Sequence, residues 1–254
     1  MTINAAGRNI PDTIPGYGEV RHFKGHDRRP PEGCRFGKRN RAAFNTRRDK
    51  TLPDLKAAIS ASGLKSGMTV SFHHHLRDGD YVVNAVIDAC AEMGIRDLVI
   101  FPTALFKVHK HLTKHIQNGV IRQIMGSVNG PIGQLASEGG FSVPVVLRSH
   151  GGRPRAVTSG DVVIDVAFIA APTADNYGNL TGAVGRSACG SLGYAHSDAH
   201  YAQCVVAVTD NLVNYPAPCI QIPQFFVDFV VPVDKIGDPA GIVSGTTRVT
   251  RDPM

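Results

Sequence analysis

Two stretches of this chain, residues 97–101 (DLVIF) and 161–171 (DVVIDVAFIAA), are apolar at successive positions rather than alternate ones. Side chains alternate across a strand, so a strand apolar at nearly every position must be covered on both faces. Helices packed on either side of a parallel sheet provide that cover. The intervening segments agree. Val82, Val83, Val86, Ile87 and Cys90 recur at helical spacing within residues 80–93, and Gly94 follows as a stop. Thr51, Pro53 and Asp54 mark another helix start, with Thr51 as the cap, running to Ser62 and ending at Gly63. Further strands are expected at 68–72, 120–125, 143–147, 204–208 and 225–231, and helices at 108–117 and from Pro131. The expected fold class is α/β, a largely parallel sheet with helices on both faces.

The net charge of +6 is concentrated in one place. Residues 21–50 carry 11 Lys and Arg against 3 Asp and Glu, so the remaining chain is close to neutral. This segment shows no sustained helical or strand period. Residues 1–50 therefore read as a basic arm and 51–254 as one α/β domain. The arm's basic residues have few aromatic partners, which argues against nucleic acid and leaves an acidic partner, a phosphate-bearing ligand or a plain solvated extension. No apolar run is long enough to cross a bilayer, and the first residues lack a signal-peptide pattern, so a cytoplasmic protein with no membrane contact is expected. Five cysteines without CxxC spacing point to neither a disulfide framework nor a structural zinc site.

Ligands of such sheets bind beyond the carboxyl ends of the strands, so the loops leaving the strands are the places for chemistry. The first is residues 71–80 (SFHHHLRDGD). Alternation puts His73 and His75 on one face with His74 opposed. Three readings stand for these histidines: metal ligands, hydrogen bonds that fix the loop, or an anion-binding rim completed by Arg77. No HExxH spacing supplies a third ligand, and no resident metal is expected. The second loop, residues 126–133 (GSVNGPIG), sets Asn129 and Gly130 at a helix start, where the glycines admit a ligand or simply make a tight turn. In the third, residues 148–153 (RSHGGR), Arg148 and Arg153 bracket Ser149, His150, Gly151 and Gly152. That is either a nest of free amides between two carboxylate-clamping guanidiniums, or a Gly-rich hairpin with surface arginines. In the fourth, residues 170–180, Asp175 and Asn179 either cap the turn or meet a ligand. Glu138 reads as a helix end.

In this order, SFHHHLRDGDYVVNAV, GSVNGPIG, RSHGGR, DVAFIAAPTADNYGNLTG and SACGSLGYA resemble the alpha subunit of citrate lyase over about residues 30–254. That family lies within the CoA-transferase (NagB/RpiA-like) fold group, and residues 175–179 look like its D-x-x-G-N signature. The resemblance implies a transferase that exchanges acetate for citrate on an acyl-carrier-protein thioester, within a complex yielding acetate and oxaloacetate. It implies a carrier-protein subunit, a citryl-carrier lyase beta subunit and a homo-oligomer as partners. The CoA-like phosphopantetheine arm of the carrier is then a substrate, and no cofactor is bound permanently. Arg148, Ser149, Arg153, Arg77, His73, His74 and His75 would hold the citrate polyanion as a cationic rim. Gly151, Gly152, His150, Asn129 and Gly130 would face the reacting carbonyl, and Asp175 and Asn179 the CoA-like arm. The resemblance also implies a subunit about twice this length, so residues 51–254 correspond to its N-terminal half, with the second half absent. A sugar-phosphate isomerase-like enzyme and a non-catalytic ligand-binding or assembly domain share the same architecture.

Overall fold

The computed structural model describes residues 2–4, 7–21 and 49–242. Most of the expected basic arm, residues 22–48, lies outside the described residues. Near the start of the chain, Thr2–Ile3 pairs antiparallel with Asn9–Ile10, and Thr13–Ile14 with Gly18–Glu19. Asp49 and Lys50 belong to the body. Lys50 is buried and its Nζ donates to the Gln224 and Val227 carbonyls at 2.6 and 2.7 Å.

Six strands form one sheet: β1 (Thr69–Phe72), β2 (Leu98–Pro102), β3 (Ile121–Ile124), β4 (Val166–Ala171), β5 (Cys204–Thr209) and β6 (Phe229–Pro232). Their spatial order is β6-β5-β4-β1-β2-β3, and every neighbouring pair is parallel. Chain order thus runs outward to β3, then returns to the centre and runs outward again. The reversal lies between β1 and β4, the position at which sheets of this kind bind ligands. The two strands pair only at Val166 with Val70 and Ala167 with Ser71, whereas β4 and β5 pair along six residues. Beyond Ser71 the sheet parts, leaving a crevice at its carboxyl edge.

The apolar runs are buried on both faces, as expected. Val166, Phe168 and Ala170 join one core with α1 (Leu55–Ser62) and α2 (Val82–Glu92). Ala167, Ile169 and Ala171 join another, with residues of α5 (Gly152–Thr158) and α6 (Ala195–Tyr201). Short α3 (Leu112–Gln117), α4 (Gly130–Ser137) and α7 (Pro239–Ile242) complete the layers.

Several boundaries differ from the sequence reading. Asp54, not Thr51, caps α1: its Oδ1 accepts from the Ala57 amide, while Thr51 bridges to Val230 at the sheet edge. Residues 143–147 are not a strand. Only the Val146 amide reaches the Ile124 carbonyl, and Pro144 has no N–H to extend the ladder. In 161–171, the strand proper is Val166–Ala171; the Asp165 backbone already bonds Thr69 and Cys204, and its carboxylate also takes the Thr69 amide. The 108–117 helix starts as a 3-10 turn, Lys107–His111, and the residues at 224–226 form another before β6. RSHGGR is neither hairpin nor open nest. Helix α5 begins at Gly152, and the Gly152 and Arg153 amides bond back to Ser149.

Candidate functional site

The triple-histidine loop occupies the crevice between β1 and β4. His73 and His75 share a face, as alternation predicts, with rings stacked at 6.0 Å. Each is pinned. The His75 ring donates through Nε2 to the Ala170 carbonyl of β4 at 2.7 Å, which spans the parted strands. His73 Nε2 bonds Asp198 Oδ2 of α6 at 2.9 Å. Two residues beyond His75, Arg77 has φ of +53°, a conformation uncommon without glycine, and its amide bonds the His74 carbonyl.

Asp198 organises the floor. Its two oxygens accept from Arg153 Nη1 and Nη2, both at 2.8 Å, and Ser197 Oγ adds a third donor. Arg153 Nη2 also donates to the Phe101 carbonyl at 2.9 Å, with the guanidinium carbon 4.3 Å from the Phe101 ring centre. His73, Arg153 and Asp198 are all buried. Burial alone would raise the Asp198 carboxyl; the charge of Arg153, then His73, outweighs it and holds the carboxyl well below the usual range. Arg153 thus commits both Nη groups to buried partners, while its Nε has no partner among the described residues and the side chain borders a cleft.

Two adjoining clefts lie above this floor and share His74, Thr103 and Tyr194. The larger, about 390 Å³, is lined also by His73, His75, Arg77, Cys189 and the 191–193 loop. The smaller is lined also by Gly126, Ser127, Arg148, Ser149, His150 and Arg153. The rings of His74, His150 and Tyr194 lie 5.7–6.2 Å apart at their junction. The His74 amide is fixed by Thr103 Oγ1 at 2.8 Å. Arg77 lies over the Phe106 ring, and Arg148 has a buried Nε with no partner among the described residues.

The expected cationic rim is only partly cationic. Burial, followed by the charges of His150 and Arg77, lowers His74 to about 4. Burial, followed by the charge of His73, lowers His75 to about 4. At neutral pH both rings are uncharged hydrogen-bonding groups, leaving Arg77 and Arg148 as the open cations.

The other sequence candidates fall elsewhere. Asn129 caps α4 and donates to the Leu105 carbonyl; it and Gly130 line neither cleft, although Gly126 and Ser127 of the same loop do. Gly151 and Gly152 line neither cleft; they start α5, which carries Arg153 to the floor. Asp175 accepts from the Tyr177, Asn179 and Ala217 amides and from Asn179 Nδ2, and Asn179 Oδ1 accepts from the Gln224 amide. That pair closes a turn away from both clefts.

Thr103, Tyr194 and Asp198 were missed. Thr103 directly follows β2, so the strand-end rule could have found it. Tyr194 lies within the quoted SACGSLGYA stretch. Asp198 lies on α6 (AHSDAHY), whose buried face is alanine and whose helical signal is correspondingly weak.

Residues 48–254 match the family model described as citrate lyase, alpha subunit (CitF). The citrate lyase alpha chain of Klebsiella pneumoniae is 48% identical over 208 residues, covering 82% of this chain and 41% of the relative. A crystal structure from Streptococcus mutans, described as the alpha subunit of citrate lyase in complex with citrate, superimposes with a TM-score of 0.82 at 47% identity. It covers 97% of this chain and 48% of that one. Glutaconate coenzyme A-transferase from Acidaminococcus fermentans, at 17% identity and a TM-score of 0.53, shares the fold over 76% of this chain and 77% of its own. The chain spans about two fifths of the length of the curated relative and about half of the S. mutans chain. With the family model matching most of its length, this chain belongs to the citrate lyase alpha subunit family.

Proposed function

We propose that this chain provides the citrate-holding half of a transferase that exchanges acetate for citrate on a carrier-protein thioester. The observation that carries the reading is the paired cleft at the β1–β4 reversal. It holds the Arg77 side chain in one chamber and the unpartnered Arg148 Nε in the other, with neutral His74 and Tyr194 between. A tricarboxylate needs spaced cations with uncharged donors between them, and forked guanidiniums match carboxylates well. The S. mutans relative, described as a complex with citrate, supports the same ligand.

In the proposed reaction a citrate carboxylate oxygen attacks the acetyl thioester carbonyl. The C–S bond breaks, the thiolate leaves with its electron pair, and a mixed anhydride forms. The thiolate then attacks the citryl carbonyl of that anhydride, the C–O bond breaks, and acetate leaves. No net proton is transferred, so a strong general acid is unnecessary. Backbone amides and neutral imidazoles close to the carbonyl would stabilise each oxyanion. The acyl substrate is the phosphopantetheine-type arm of a carrier subunit in the cytoplasm, and a lyase subunit would then cleave the citryl thioester.

The test is transfer from acetylated carrier protein to isotopically labelled citrate. The labelled citryl carrier should form when this chain is combined with the remaining half of the family subunit. No label transfer from the combined halves, with citrate binding also absent by calorimetry, overturns the reading.

A further inference from the structure

Away from the clefts, Asp88 of α2 meets two imidazoles from the segment entering α3. His111 Nε2 lies 2.7 Å and His115 Nε2 2.6 Å from the same oxygen, Asp88 Oδ1. An ionised carboxylate only accepts hydrogen bonds, so both rings present Nε2–H to it. A latch between two helices needs one such bond. The second ring, four residues on and on the same helical face, supplies a third donor atom of a different kind. The three atoms lie within 4.8 Å of one another.

We propose that Asp88, His111 and His115 form a binding site for a divalent transition-metal ion, with Zn²⁺ the best match. Two imidazoles and one carboxylate, with the remaining position open to water, are a frequent zinc set. A tetrahedral ion with ligand bonds of about 2.1 Å separates its ligands by about 3.4 Å, so Asp88 must withdraw by about 0.7 Å. It has room: the Asp88 side chain is 38% exposed, as is His111, while His115 at 7% is held by packing. On binding, Nε2 of each ring must be free of hydrogen, as in the Nδ1–H tautomer, so that its lone pair faces the metal. Lys114 Nζ lies 3.9 Å from Asp88 Oδ1 and is 52% exposed. It is a competing cation that can swing into water. The site is built from the segment that follows Phe106, the ring beside His74 and under Arg77. Occupancy therefore ties α2 to the segment whose first ring packs on two residues of the larger cleft, His74 and Arg77. This departs from the expectation of no resident metal.

Titration of the metal-free chain with ZnCl₂, followed by calorimetry, tests the proposal. One saturable ion per chain is expected, weakened at least tenfold in His111→Ala and in Asp88→Asn. Lys114→Ala should bind more tightly than the parent. His111 and Asp88 are partly exposed, and unchanged circular dichroism would show that these variants still fold. Absence of saturable binding, or a stoichiometry and affinity unaltered by both ligand substitutions, overturns it. The latter result would place the ion elsewhere, for example on His73, His74 and His75.

Discussion

Asp198 Oδ2 is shared by His73, from the loop after β1, and Arg153, from α5, so one carboxylate ties three separate segments beneath the clefts. Removing one partner strands the others as uncompensated charge without water, which costs far more than the pair's net worth. Asp198→Ala and Arg153→Ala should each lower unfolding stability by about 3–5 kcal/mol in urea titrations. A loss under about 1 kcal/mol would show that water or rearrangement satisfies the remaining partner.

Arg148 should behave differently. It is partly exposed, and its unpartnered Nε faces no carboxylate among the described residues. Arg148→Ala should reduce citrate affinity by about 10- to 100-fold, the value of a charged hydrogen bond or two of about 1.5–3 kcal/mol. Stability should change by no more than about 0.5 kcal/mol. Arg77→Ala should likewise weaken binding, though its strained backbone predicts some change in stability as well. Calorimetric titration of citrate beside thermal unfolding separates these outcomes, and unchanged affinity in both variants contradicts the pocket assignment.

The histidines predict a pH dependence. His74 and His75 have folded pKa values lowered to about 4, whereas an unfolded imidazole titrates near about 6.5. Between these values the unfolded chain binds protons that the folded chain refuses, so stability rises with pH. The stabilisation is complete above about pH 6.5 and is lost progressively as the pH falls toward 4. Urea midpoints measured from pH 7 to 4.5 should fall, and His75→Asn should flatten the curve. Equal midpoints across that range would mean that the rings are already charged in the folded protein.

A fourth expectation concerns Gly126, on the wall of the smaller cleft. A Cβ there would run into the Pro102 carbonyl, which is backbone and cannot rotate away. Gly126→Ala should destabilise by about 1–3 kcal/mol, as overpacking does. It should also displace β2 relative to the GSVNGPIG loop, which would appear as weakened citrate binding.

Sequence alone determined the sheet and its cover. Residues 97–101 and the second half of 161–171 are apolar at consecutive positions, and that pattern has one stable environment, between two layers of helices. It also located the histidine loop at a strand's carboxyl end and carried the family resemblance through its quoted motifs. Strand limits were less legible, because they turn on individual backbone groups, such as the N–H that Pro144 lacks, rather than on periodicity. Only the tertiary structure decided what the charged groups do. Arg148 and Arg153 flank the same Gly-Gly pair and both border the smaller cleft, yet Arg153 is buried with its two Nη groups on Asp198, whereas Arg148 is partly exposed. Adjacent His73 and His74 likewise separate, one hydrogen-bonded to buried Asp198 and one into the cleft as a neutral ring. Pairing and desolvation depend on neighbours brought from as far as 125 residues away, and no local pattern records who those neighbours are.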